Sequence, residues 1–192
     1  MRSVTFGFVS ESRDGTGRPT DGSLVRAAQG GDADAFGVLV ERSRRDFGRY
    51  AVAMLGDADA AADAMQEAFI RAWDALEDCR DPDRFRSWFF RILANQCRTA
   101  LRRRHPAIAV DDVEVAAPDR ADAAAERSEL AARIDAALST LTPEQCEAFV
   151  MKHVEGRSYD EMVELLGVSD DALKMRVYRA RDALRGLLGD AR

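Results

Sequence analysis

The sequence predicts an all-α protein: two small helical domains, the second containing a helix-turn-helix, joined by an acidic flexible linker. Three observations carry that prediction. Apolar residues recur every three or four positions through residues 21–104 and again from 130 onward, the period of a helix buried on one side. Most of these runs open on Asp, Ser or Thr and close on Gly, residues that cap helix ends. Between the two series, residues 106–129 are dominated by proline, alanine and acid and carry no such stripe.

Residues 1–19 are weakly patterned. Val4, Phe6 and Phe8 alternate, but Gly15, Gly17 and Pro19 follow, so an N-terminal tail is expected. The first domain, residues 20–105, opens with a helix near Asp21 whose face carries Leu24, Val25 and Ala28 and which stops at Gly30-Gly31. Asp32 is placed to cap a second helix bearing Ala35, Phe36, Leu39 and Val40, then Phe47, Tyr50, Ala51, Met54 and Leu55, up to Gly56. Asp57 or Asp59 opens a third, with Ala61, Met65, Ala68, Ala72 and Leu76 on its stripe and Phe69 and Trp73 widening it. Pro82 marks a break or a helix start. The fourth helix runs to about Arg104, with Trp88, Phe89, Ile92 and Leu93 as its expected core side.

After the linker, 106–129, the second domain spans 130–190. Leu130, Ile134, Ala137 and Leu138 make one stripe. Thr142-Pro143-Glu144-Gln145 is a helix start: a capping hydroxyl, proline at the first helical position and a capping-box glutamine. Cys146, Phe149, Val150 and Val154 are expected on its inner face, and Gly156 ends it. Ser158 and Glu161 repeat the capping-box spacing, with Met162, Val163 and Leu166 inward. Gly167 permits the positive φ of a tight corner, and Ser169 caps the last helix. There Leu173, Val177, Ala180 and Leu184 form one stripe, while Lys174, Arg176, Arg179 and Arg181 occupy other faces. A basic helix braced by a second helix across such a corner suits the major groove, where Arg and Lys reach phosphates and base edges.

Charge is segregated along the chain. The net charge is −6, yet Arg84, Arg86, Arg91, Arg98, Arg102, Arg103 and Arg104 follow one another without an acid between them. The linker carries most of the local acid instead. This excludes a uniformly basic coat and favours a basic face for one partner. Cys79, Cys97 and Cys146 are scattered, with no CxxC pair and no histidine at metal spacing, so neither a disulfide scaffold nor a zinc site is expected. No apolar run has signal-peptide or membrane-spanning length, and a cytoplasmic protein is expected. The carboxylates lie on caps, in the linker and on exposed faces, and His105 and His153 have no partner at motif spacing, so no catalytic residue, cofactor or metal is expected.

The segment from Thr142 to Leu188, with SYDEMVELLGVS and DDALKMRVYRARDAL, resembles the promoter −35-binding domain of extracytoplasmic-function sigma factors. The earlier SLVRAAQGGDADAFGVLVER, LGDADAAADAMQEAFIRAW and FRSWFFRILANQCRTALRRR resemble, in order and spacing, their polymerase-binding and −10-recognition domain. The resemblance implies a promoter-specificity subunit of bacterial RNA polymerase. Its implied partners are core polymerase (the β′ clamp helices and the β flap), promoter DNA and an anti-sigma protein, with no direct membrane insertion. By the same resemblance Asp63, Gln66 and Glu67 contact the clamp helices, although Ala60 and Ala62 stand where the family often has acids. Arg84, Arg86, Asn95, Arg98, Arg102 and Arg103 face the −10 strand, and Thr99 replaces a usual aspartate, so the base preference there is not carried over. Lys174, Arg176 and Arg179 contact the −35 duplex. The linker would thread toward the active-site cleft. A conventional helix-turn-helix regulator, binding duplex DNA without polymerase, is the alternative.

Overall fold

The computed structural model describes residues 17–104 and 140–189, and these form two helical subdomains. The first contains α1 (Asp21–Gln29), α2 (Ala33–Leu55), α3 (Ala58–Asp74) and α4 (Phe85–Arg104), with short 3-10 turns at Leu76–Asp78 and Pro82–Arg84. The second contains α5 (Pro143–Phe149), continued by a π turn at Val150–Val154, then α6 (Tyr159–Leu166) and α7 (Asp170–Gly189). The N-terminal tail, the linker and the stripe from Leu130 to Leu138 lie outside the described residues.

Side-chain caps set the helix starts. The Thr20 hydroxyl accepts from the Ser23 N–H, and the Asp32 and Asp57 carboxylates accept from Ala35 and Ala60. Both capping boxes close, Thr142 with Gln145 and Ser158 with Glu161, each pair satisfying two amides that the helix leaves open. Gly56 ends α2 at φ 65° and Gly167 ends α6 at φ 68°, both in the left-handed region that favours glycine.

The first core is aromatic. Phe47 meets Phe90 at 4.9 Å between ring centres, Tyr50 meets Phe90 at 4.8 Å, and Phe69 stacks on Phe89 at 4.9 Å, pinning α2 and α3 to α4. The second core is built from Cys146, Val150, Met151, Met162, Leu165 and the α7 stripe of Leu173, Val177, Ala180 and Leu184.

Expected core positions are corrected in α4, in the π turn and in α6. Trp88 and Ile92 are only half-buried, because Phe85, Phe89, Phe90, Leu93, Ala94 and Cys97 form the buried side of α4 and turn Trp88 to its edge. Val154 is 49% exposed, since the wider π turn shifts the helical phase after Phe149. In α6, Leu165 is buried beside Met162, while Val163 and Leu166 are half-buried.

Candidate nucleic-acid interface

The buried stripe of α7 fixes which side chains face outward. At 3.6 residues per turn, Met175, Tyr178, Arg179 and Asp182 lie opposite Leu173, Val177 and Leu184, while Lys174, Arg176 and Arg181 sit on the flanks. Lys174 is exposed and paired with Asp170 at 2.6 Å. Arg179 and Arg181 are exposed and have no ion-pair partner among the described residues. Arg176 is half-buried and acts electrostatically on Glu147. Met175 and Tyr178 escaped the sequence reading, yet they are 48% and 64% exposed in the middle of this basic surface. Their signal was present: both fall off the apolar stripe, three residues apart. Together they give the outer face a soft thioether and an aromatic ring beside arginine, groups that pack on bases or methyls.

Helix α4 differs. Arg84 is exposed and weakly paired with Asp81, at 3.8 Å. Arg86 reaches Asp46 at 3.5 Å and lies over the Phe47 ring, 5.4 Å from its centre. Asn95 is exposed, and its backbone carbonyl accepts from the Thr99 hydroxyl at 2.8 Å. Arg103 is exposed. Arg98 and Arg102, however, cross to the second subdomain. Arg98 Nη1 donates to Glu147 Oε1 at 2.7 Å, and Arg102 Nη2 donates to Glu144 Oε1 at 2.6 Å.

Glu147 has no exposed surface. Its Oε1 accepts from both the Tyr50 hydroxyl (3.1 Å) and Arg98, whereas Oε2 is buried without a hydrogen-bond partner. Burial pushes the carboxyl above its ordinary value, and Arg98, the Tyr50 hydrogen bond and Arg176 oppose that without cancelling it. Burial, then the charge of Glu147, also raises the Tyr50 hydroxyl well above its ordinary value. Nearby, Arg49 approaches Glu155 at 3.7 Å, and Arg91 lies across the α6–α7 corner, where a Cβ on Gly167 would sit 3.0 Å from its Nη2.

On α3, Asp63 and Gln66 are exposed and Glu67 is half-buried, paired with Arg71 at 2.8 Å. Gln66 also lines a groove of about 400 Å³ between α2 and α3, with Arg44, Val52, Ala62, Met65 and Phe69. Exposed Ile70 and Trp73 continue along α3, so these polar residues stand beside uncovered apolar surface.

No group of His, Cys, Asp and Glu among the described residues could hold a metal ion. All three cysteines are buried and unbridged; burial pushes the Cys97 and Cys146 thiols up to about 12, far from reactive. No helix among the described residues is long and apolar enough to cross a membrane.

Comparison with known proteins matches both halves. The Sigma-70 region 2 family model covers residues 39–106, and the model described as Sigma-70, region 4 covers residues 131–184. The chain is 35% identical over 177 residues to the RNA polymerase sigma factor NccH of Alcaligenes xylosoxydans xylosoxydans, spanning 88% of this chain and 94% of that protein. It is 33% identical over 172 residues to the ECF RNA polymerase sigma factor SigM of Mycobacterium tuberculosis, spanning 88% and 85%. Among solved structures it is similar to CnrH in complex with the cytosolic domain of CnrY, with a TM-score of 0.62, 33% identity and coverage of 88% and 97%; CnrH is an RNA polymerase sigma factor of Cupriavidus metallidurans.

Proposed function

We infer the working parts of the chain from one premise: it belongs to the sigma-70 family, as an extracytoplasmic-function sigma factor. It serves RNA polymerase in transcription initiation and catalyses no covalent step.

In the proposed assignment, α6, the Gly167–Ser169 corner and α7 act as a helix-turn-helix on duplex −35 DNA. The observation that carries it is the outward face of α7, with Arg179, Met175 and Tyr178 opposite a fully buried stripe and Lys174 and Arg176 flanking them. Flanking cations neutralise phosphates and the central side chains meet base edges. The first domain, residues 20–105, takes the −10 strand along α4, with Arg84, Arg86, Asn95, Arg98, Arg102 and Arg103 facing it. Melting is then driven by binding: captured bases offset the pairing and stacking lost. Asp63, Gln66 and Glu67, with the α2–α3 groove, dock on the β′ clamp helices; amide and acid beside apolar surface suit a basic, partly apolar partner. The domain of residues 130–190 meets the β flap, and the 106–129 linker joins the two inside polymerase. The work is done in the cytoplasm. An anti-sigma protein is the expected inhibitor, a reading supported by the solved complex of CnrH with the cytosolic domain of CnrY.

The test is run-off transcription by purified core polymerase with and without this protein on genomic fragments of its host. Discrete start sites that need the protein are the expected result, and their aligned upstream DNA would give both elements. Transcriptional silence, together with tight specific duplex binding by the protein alone, would instead establish a conventional helix-turn-helix regulator.

A further inference from the structure

The loop between α3 and α4, residues 75–84, ends on Arg84 and leads into Arg86, both assigned to the −10 strand. It is built from two short 3-10 turns, with Leu76 and Cys79 buried and Arg80, Asp81, Asp83 and Arg84 exposed. Arg80 has no ion-pair partner among the described residues. Helix α1 touches both turns. At its last residue, the Gln29 side-chain amide donates to the carbonyls of Leu76 and Cys79, at 3.0 and 3.3 Å, so one side chain spans the first turn. Near its start, Gly22 is buried against the second turn, and a Cβ there would collide with Asp83 Oδ1 and Cγ. Between these two points Arg26 pairs with Asp83 at 3.1 Å, an exposed contact that contributes little by itself. We propose that α1 is a bracket for this loop and that Gln29 is a positioning residue for capture of the −10 strand: its amide holds the loop in one shape, so that Arg80 and Arg84 meet the strand already placed.

A bracket must itself be fixed. Val25 has no exposed surface, and Leu24 and Ala28 are buried. Arg42 of α2 ties down the start of α1, pairing with Asp21 at 2.6 Å and donating to the Pro19 carbonyl at 3.0 Å. The loop also has bonds of its own: Asp81 accepts from the Asp83 N–H at 3.2 Å, and the Cys79 thiol donates to the Asp81 carbonyl at 3.6 Å. Those bonds shape it locally, whereas Gln29 and Gly22 fix it to the helical bundle. A strand taken from opened DNA binds best to groups already in place, because each loop residue ordered at binding subtracts from affinity. With the bracket made, that entropy is lost at folding instead. None of the residues assigned to DNA or polymerase lies on α1. The inference rests on the −10 reading of α4, but the bracket itself can be measured without polymerase.

The experiment uses the full chain. Gln29→Met removes both donors at nearly the same length and leaves the charge alone. Cys79 is a native reporter of the loop, being buried with its thiol pushed up to about 11. Its rate of labelling by N-ethylmaleimide, located by peptide mass spectrometry, should rise about tenfold in Gln29→Met, the size expected for two lost hydrogen bonds. With core polymerase bound, the protein is given a fork template, duplex at −35 and single-stranded at −10, from a promoter mapped by run-off. Its affinity should fall by a similar factor in the variant. The preference for the mapped −10 strand over a scrambled one should fall with it, while core affinity and −35 duplex binding hold; a merely less stable protein would keep its preference. Gly22→Ala is the second variant. Alanine suits a helix better than glycine, so a loss of strand capture there reports displacement of the loop. In an Asp83→Ala background, which makes room for the added methyl, that loss should disappear. Circular dichroism confirms folding of each variant. Unchanged Cys79 labelling in Gln29→Met would overturn the bracket. So would faster labelling with wild-type strand affinity and preference, since the shape of the loop would then place nothing. Faster labelling in a protein whose wild type captures no single strand with core polymerase would uphold the bracket and reject the −10 reading instead.

Discussion

Helices α4 and α7 are both 20 residues long and both rich in arginine, yet they present their charge differently. In α7 the outward Arg179 and Arg181 have no ion-pair partner among the described residues. In α4, Arg86, Arg98 and Arg102 are all paired, two of them to the other subdomain. The lesson is that a basic helix is not by itself an available basic surface. Availability depends on where the acids of the rest of the chain fall, and here they fall on α2, at Asp46, and on α5, at Glu144 and Glu147.

The comparison breaks most completely if α4 loses its seat. Phe89 is fully buried, stacked on Phe69 and close to Phe85 and Phe47. Phe89→Ala should cost about 3–5 kcal/mol, lost dispersion plus the cavity left behind. Thermal melting should show the first subdomain destabilised. If α5–α7 fold independently, a calorimetric transition assigned to them will persist; loss of both together would mean that the interdomain contact makes one cooperative unit.

Charge reversal on α7 sharpens it. Arg179→Glu should weaken −35-dependent initiation roughly tenfold to a hundredfold and lower the salt dependence of binding. Core-polymerase affinity should barely change. Arg176→Glu should be smaller on DNA and should also affect the closed form, the one with the two subdomains in contact, since this half-buried side chain acts on Glu147. Equal loss on promoters lacking a −35 element would reject the assignment. Reversal at Asp63 or Glu67 should do the converse, removing core affinity from a folded protein; co-purification with core enzyme measures it.

Caps give a smaller, local effect. Thr142→Ala removes the acceptor for the Gln145 amide and half of a capping box, and should destabilise the second subdomain by about 1 kcal/mol. A melting curve of the full chain, read at the transition of that subdomain, checks it.

The local features were legible because their physics is local. Asp32, Asp57, Thr142 and Ser158 cap their helices as spacing requires, and the four-residue stripe of α7 is buried throughout. Errors arose where the helical period changed, as at Val154 after the π turn, or where several aromatics competed for one core, as with Trp88 beside Phe85, Phe89 and Phe90. The second role of Arg98 and Arg102 could not be read at all. Their partners lie 49 and 42 residues away in sequence, and no pattern on α4 announces them.

The finest probe of the comparison is pH, acting on Glu147. Its carboxyl is raised in the closed form chiefly by burial, while parting the subdomains would return it to water and its ordinary value near 4.5. A raised value means that the closed form binds the proton more tightly. This group's contribution to closure is therefore fully present below about 4.5 and is lost as pH rises through the raised value. Energy transfer between dyes at the exposed positions 59 and 185, one in each subdomain and introduced through Asp59→Cys and Arg185→Cys, should rise as the medium is acidified from neutrality toward pH 5. Glu147→Gln mimics the protonated side chain, so it should close the protein at neutral pH at least as well as the wild type and flatten the profile. A profile that survives this substitution would place the titrating group elsewhere, and one that runs the other way would mean that the Arg98 pair, not burial, dominates the carboxyl.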